Sequence, residues 1–243
     1  PDDARDWSNC GCVVPHFRKT GEWTAAVNLN FGSAIEYALN EGKSLLNNEQ
    51  FGLPEKPFAE FKDFAEFKQA FLKQLANLVE HSITATLVAQ ELHMQMVPRP
   101  FLSSCIEECM VKGRDLSHGG AKYNVGPVIT GIGLGVAANC LAAVKKMVFD
   151  EKLIDLATLH RALVNNWEGY ESLRAMAQQA PKYGNDDPYV DNIATEIANF
   201  YYTQVHSYRD AFGSHFNPAF MGISNYLPAG KVVGATPCGR KAK

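Results

Sequence analysis

Concentrated positive charge is scarce in this sequence. No run of Lys and Arg is longer than a pair such as Lys145-Lys146, apart from Arg240, Lys241 and Lys243 at the C-terminal end. With a formal net charge of −3 and no basic stripe to neutralise a row of phosphates, nucleic acid is not an expected partner. No basic stretch followed by an apolar core stands near Pro1, so no export signal is read. An uninterrupted apolar run is missing too. Residues 125–144 carry no charge, but Gly126, Pro127, Gly131, Gly133, Gly135 and Asn139 break the run. A glycine-rich turn entering a buried helix is expected there, and no membrane span.

Metal-ligand spacing is also lacking. None of the seven histidines forms a His-Glu-x-x-His pattern, Cys10 and Cys12 are one residue too close for a zinc pair, and Cys105 and Cys109 have no second pair nearby. No metal site is expected. The six cysteines belong to a chain long enough to build its own core, so reduced thiols in a cytoplasmic protein are the expectation. Gly131, Gly133 and Gly135 do not make a dinucleotide loop either. The third glycine comes two residues on instead of three, and no strand ending in an acid follows. Close backbone packing is the reading for these glycines.

What is present reads as a globular chain, 46% hydrophobic and 20% charged. Residues 1–16 read as a loop or short extended segment. A helix is expected over 33–40, capped by Ser33 and stopped by Gly42. Phe58, Phe61, Phe64, Phe67, Phe71, Leu75, Leu78 and Val79 recur at three and four residues, which predicts a long amphipathic helix to about Met96, ended by Pro98 and Pro100. Further helices are expected over 103–112, 139–151, 156–163 and 190–208. Short strand-like pieces fall at 125–130, 219–224 and 231–233. Strands among helices argue an α/β class.

Several segments together resemble the pyruvate formate-lyase-like glycyl radical enzymes, which include formate-lyases, dehydratases, a choline lyase and arylacetate decarboxylases. They are Ala4-Arg5-Asp6, Gly11-Cys12-Val13, Pro100-Phe101-Leu102-Ser103, Gly119-Gly120-Ala121-Lys122-Tyr123-Asn124 and Leu141-Ala142-Ala143-Val144-Lys145-Lys146. Next come Asn166-Trp167-Glu168-Gly169-Tyr170-Glu171, Ala180-Pro181-Lys182-Tyr183-Gly184-Asn185-Asp186-Asp187, and Gly234-Ala235-Thr236-Pro237 with Gly239-Arg240-Lys241. Their order and spread along the chain make the resemblance specific.

The resemblance implies one partial domain over residues 1–243, the second half of a ten-stranded α/β barrel with surrounding helices. A cysteine finger loop would span about residues 8–16, and the family's glycine radical loop would not be included. It implies that Cys12 is the catalytic thiol, oxidised to a thiyl that takes hydrogen from a small-molecule substrate. The radical would be stored on a backbone glycine and installed by a radical-SAM activating enzyme, with no cofactor bound in this segment. A homodimer is implied for the full-length protein. Cys10 is a candidate second thiol. Val14 stands where dehydratases and the choline lyase carry a Glu that acts as base, and valine cannot take a proton. His16, two residues on, is a candidate base or substrate contact with a suitable unperturbed pKa. Trp23 and Thr24 resemble a Trp-Thr pair in which the Thr is a pocket contact. Asn139-Cys140 and Cys238 depart from the family's Asp-Ser and Thr-Pro-Asp-Gly-Arg. The expected reaction is a lyase acting on a C–C bond; a dehydratase-like eliminase with a replaced base and a non-catalytic homologue are the alternatives.

Overall fold

The computed structural model describes residues 2–5, 7–10, 14–17, 21–23 and 25–243, with positions 2, 3, 9, 10, 14–17, 22, 23 and 223 described by backbone only. The chain begins with one helical turn, α1 (Asp2–Arg5), and an antiparallel hairpin of β1 (Trp7–Cys10) and β2 (Val14–Phe17). Next come β3 (Gly21–Trp23), β4 (Ala26–Asn30) and α2 (Phe31–Leu39). A 3-10 turn at Phe58–Glu60 precedes the long helix α3 (Phe64–Met96). Two short helices, α4 (Pro100–Ser104) and α5 (Glu107–Lys112), lead through a second 3-10 turn (Leu116–His118) to β5 (Tyr123–Val125) and β6 (Val128–Ile132). Helix α6 (Leu134–Val144) continues as a π-helical turn over Lys145–Asp150. Then follow α7 (Leu156–Val164), α8 (Glu171–Gln179), α9 (Pro188–His206), β7 (Asn217–Ala219), a 3-10 turn (Ile223–Asn225) and α10 (Tyr226–Lys231).

The architecture is mixed α/β. Among the described residues, the seven strands form the β1-β2 hairpin, a parallel β3-β5 pair and a three-stranded β4-β6-β7 sheet, with no closed barrel. The chain divides into two compact units. The first holds Pro1–Val27, His81–Ile129 and Val205–Ala219; the second holds Asn28–Glu80, Thr130–Gln204 and Phe220–Lys243. No helix among the described residues is long and apolar enough to cross a membrane. Residues 125–144 instead form a strand, a turn and a helix, as their glycines imply.

In the first unit Asp115 is a hub. Its carboxylate accepts the Arg99 N–H at 3.0 Å, the Ser103 hydroxyl at 2.9 Å, and both the N–H and hydroxyl of Ser117 at 2.8 and 2.6 Å. Burial alone would raise its pKa, but the hydrogen bonds from Ser117, Arg99 and Ser103 prevail and hold it at about 2. One side chain thus fixes the start of α4 and the 3-10 turn before β5.

In the second unit the core is aromatic. Phe58, Phe61 and Phe67 meet edge to face with ring centres 5.0 to 6.1 Å apart. Each fully buried phenyl contributes about 1.5–3 kcal/mol by area. Phe31 sits under Tyr201 at 5.2 Å, and Gly131 leaves room for it: a Cβ on Gly131 would come within 2.3 Å of the Phe31 ring. Gly133, with φ of +90°, turns the chain from β6 into α6.

Several expected boundaries shift, each for a visible reason. The cap of α2 is Asn30, whose Oδ1 accepts the Gly32 N–H at 3.0 Å, and Ser33 is buried inside the helix. The phenylalanine stripe is split at Asp63, which accepts the Glu66 N–H at 2.8 Å and so starts α3 at Phe64. The helix expected over 103–112 is two, because Ser103 is spent on Asp115 and on the Leu116 N–H. Helix α6 starts earlier than expected, at Leu134, and residues 226–231 are helical where a strand at 231–233 was expected. The hairpin, β3, β4 and α8 were not anticipated.

Candidate active site

Of the residues singled out in the sequence, Cys12 and Thr24 lie outside the described residues, while Cys10, His16 and Trp23 are placed by backbone. The backbone nevertheless organises the last three. The hairpin register pairs Trp7 with Phe17, Ser8 with His16, Asn9 with Pro15 and Cys10 with Val14. The segment of residues 11–13, which includes Cys12, separates the two strands in the sequence and lies outside the described residues. Cys10 and Val14 are the last register pair before it. Positions 14 and 16 are two apart in β2, the spacing that repeats on one face of a strand.

Trp23 closes β3, which pairs in parallel with β5: Gly21 with Tyr123, Glu22 with Asn124 and Trp23 with Val125. The strand leading to Thr24 therefore lies beside the Gly119–Asn124 motif. That motif is held tightly. A Cβ on Gly120 would come within 2.2 Å of the Arg114 carbonyl oxygen, so only glycine fits. Lys112 Nζ donates to the Gly120 and Ala121 carbonyls at 3.3 and 3.1 Å, and Ser214 donates its hydroxyl to the Asn124 carbonyl at 2.5 Å. Asn124 Oδ1 is buried without a hydrogen-bond partner among the described residues.

The second unit holds a cleft of about 170 Å³ lined in part by Asn30, Gly32, Gly133, Tyr226, Thr236 and Arg240. Asn30 Nδ2 donates to the Ala229 carbonyl at 2.9 Å. The Arg240 guanidinium donates to the carbonyls of Val233 at 3.1 Å, of Gly234 at 2.7 Å and of Gly230. These bonds to three backbone carbonyls fix Arg240 in the cleft wall, where it keeps its positive charge. The motif residues Thr236 and Arg240 were legible as resemblance, but their meeting with Asn30 and Tyr226 was not. Among the described residues, no group of three or more His, Cys, Asp or Glu could hold a metal ion.

Two short paired strands that flank Cys12 in the sequence, and a third strand paired with the glycine-held Gly119–Asn124 segment, define a mixed α/β protein. The chain belongs to the pyruvate formate lyase-like family, whose model matches residues 1–230. The trans-4-hydroxy-L-proline dehydratase of Clostridioides difficile is 33% identical over 240 residues, covering 98% of this chain and 30% of that protein. The (2S)-3-sulfopropanediol dehydratase of Klebsiella oxytoca is 30% identical over 243 residues, covering 99% of this chain and 29% of that protein. A glycerol-bound structure of the B12-independent glycerol dehydratase from Clostridium butyricum matches with a TM-score of 0.92 at 36% identity, covering 99% of this chain and 30% of that one. The chain thus spans under a third of the length of these relatives. The glycyl radical enzyme resemblance read from the motifs holds.

Proposed function

We propose that this chain is the thiol-bearing part of a glycyl radical lyase, with Cys12 as the residue that becomes a thiyl and takes hydrogen from a small organic substrate. The observation that supports it is the β1-β2 hairpin, whose paired strands flank Cys12 in the sequence. A hairpin connection is a short tether that can carry one side chain to a fixed point, and orientation is most of what a hydrogen relay asks of the protein. The radical itself would reside on a backbone glycine elsewhere in the full-length protein, installed by a radical-SAM activase. The ten-stranded barrel would be completed by the rest of that protein, working as a dimer.

For the reaction class, we favour cleavage or formation of a C–C bond. Removing water from a substrate radical needs a base on the neighbouring hydroxyl, a contribution of about 10²–10⁴ in rate, and Val14 supplies none. A second reading, elimination of water, is favoured by the dehydratase relatives. In it His16, two positions from Val14 in β2, takes the base's place.

The test is anaerobic incubation of the activated full-length protein with diols, hydroxyproline and arylacetates, with products read by mass spectrometry. Cys12→Ser should keep the glycyl radical EPR signal and lose turnover, since an O–H bond is too strong to relay hydrogen. Full turnover in Cys12→Ser would refute the assignment. Products of C–C bond chemistry from the natural sequence support the first reading. Efficient dehydration lost in His16→Ala would establish the second instead.

A further inference from the structure

Residues 210–217 carry no family motif, yet in the first unit they grip β5 and its flanks. The segment begins as a turn built around the Asp210 carboxylate, which is 7% exposed. Its Oδ1 accepts the Phe212 and Ser214 N–H groups at 3.0 and 2.8 Å, and the Asp210 N–H donates to the Ser214 carbonyl at 2.8 Å. Gln90, buried on α3, seats the turn. Its Nε2 donates to Asp210 Oδ2 at 3.1 Å, and its Oε1 accepts the Ala211 N–H at 3.3 Å. Both ends of one buried amide thus engage one turn, which fixes how the turn sits on the helix.

From that seat the segment reaches along β5. The Phe212 ring lies against Gly119, where a Cβ would come within 2.7 Å of it. The Ser214 hydroxyl donates to the Asn124 carbonyl at 2.5 Å. Past the end of the strand, the Asn217 N–H donates to the Pro127 carbonyl at 2.8 Å, and Asn217 Nδ2 donates to the Gly126 carbonyl at 3.1 Å. The Ser214 bond is the one that bears on the site. Asn124 is the register partner of Glu22, the central residue of β3, and β3 ends at Trp23, directly before Thr24 in the sequence. A strand of three residues can make few ladder bonds, so the place of β3 depends on how firmly β5 is held.

We propose that Ser214 is a positioning residue for the candidate active site: through Asn124 it holds β5, and with it β3, in the place that sets Trp23 and Thr24 for the substrate. Gln90 and Asp210 serve the same end by fixing the turn from which Ser214 reaches. The proposal rests on the reading of Cys12 as the hydrogen-relaying thiol, since Trp23 and Thr24 are substrate contacts only within it. Hydrogen transfer is sensitive to alignment, and a displacement of about 1 Å can cost about 10²-fold in rate. Ser214 touches no reacting atom in this scheme. It acts by taking slack out of the strand pair.

The test uses the full-length protein and its Ser214→Ala, Ser214→Thr and Gln90→Met variants. Hydrogen–deuterium exchange is followed by mass spectrometry before activation, so this arm reads the strands whether or not Cys12 relays hydrogen. Ser214→Ala should speed exchange in the peptides covering β3 and β5 by about tenfold, the scale of one lost hydrogen bond to a partly buried carbonyl. Ser214→Thr keeps the hydroxyl and should restore the wild-type rate. Gln90→Met should speed exchange in the same two peptides, which decides the matter where Ser214→Ala fails to fold. After activation, the glycyl radical EPR signal of Ser214→Ala should equal that of wild type. Glycerol, trans-4-hydroxy-L-proline and phenylacetate are then offered in turn. With any that wild type consumes, kcat should fall about 10- to 100-fold while KM stays within about twofold. Unchanged exchange at β3 in Ser214→Ala, no rescue by Ser214→Thr, or a wild-type kcat in Ser214→Ala would overturn the proposal. Turnover that survives in Cys12→Ser strikes instead at the radical reading, and removes the role from Ser214 while the exchange results stand.

Discussion

Glu36 is the most unusual carboxyl among the described residues. It is 1% exposed on α2, and its Oε1 accepts the Leu45 and Gly234 N–H groups at 2.9 Å each while Oε2 has no partner. Burial raises its pKa, and the two N–H groups and the Arg240 charge oppose without cancelling. A carboxyl whose folded-state pKa exceeds the unfolded value of 4.5 favours folding in its protonated form. That contribution is complete below the unfolded value and is lost as pH rises through the folded one. Glu36→Gln keeps an acceptor for both N–H groups and cannot ionise. Its thermal midpoint should therefore gain on wild type as pH rises above about 4.5. Glu36→Ala leaves two buried donors unmatched and should cost about 2–4 kcal/mol below about pH 4.5, a cost that shrinks at higher pH as the wild-type carboxyl is forced to ionise. Parallel pH profiles for wild type and Glu36→Gln would refute this account. In the sequence Glu36 is one polar residue in a helix, with nothing to mark that it pins segments far apart in the chain.

At the scale of elements, what could be read was what repeats. The stripe from Phe58 to Val79 and the prolines beyond Met96 placed α3, because a 3.6-residue period survives over many turns. Strands of three to five residues carry too few alternations to stand out, which is why β1 to β4 were not anticipated. Helix α8 buries only Leu173 and Ala177 and is polar on average, so little in its composition stands out. Glycines were more informative than strands, since they mark where backbones touch. A Cβ on Gly126 would come within 1.9 Å of the His215 carbonyl oxygen, and Asn217 bonds back to Pro127 and Gly126 beside it. A Cβ on Gly113 meets nothing within 4 Å, and only its φ of +56° opposes a side chain. Gly126→Ala should consequently lower the thermal midpoint well beyond Gly113→Ala, which should cost about 1 kcal/mol. Equal shifts would mean that the Gly126 segment between β5 and β6 relaxes freely away from His215.

At the scale of the whole molecule, the surface of the first unit bears on what the chain can do alone. Met96, Phe101, Met110 and Val111 are 73, 85, 65 and 83% exposed within one short stretch of α3, α4 and α5. Single exposed apolar residues are ordinary, but four large ones so exposed and so close in the chain point to a surface that another surface covers. The sheets point the same way. Strand groups of two and three leave edges whose N–H and C=O groups template further pairing. The barrel expected from the resemblance would satisfy those edges, and in relatives more than three times as long there is chain enough to do so. The 243-residue chain made by itself should therefore self-associate, bind a hydrophobic dye and show no radical turnover, whereas the full-length protein should do none of the first two. Light scattering coupled to size exclusion, beside dye fluorescence, reads both. A monodisperse monomer that ignores the dye and unfolds in one cooperative thermal transition would show that these residues form a self-sufficient unit, and that the exposed stretch from Met96 to Val111 needs no cover.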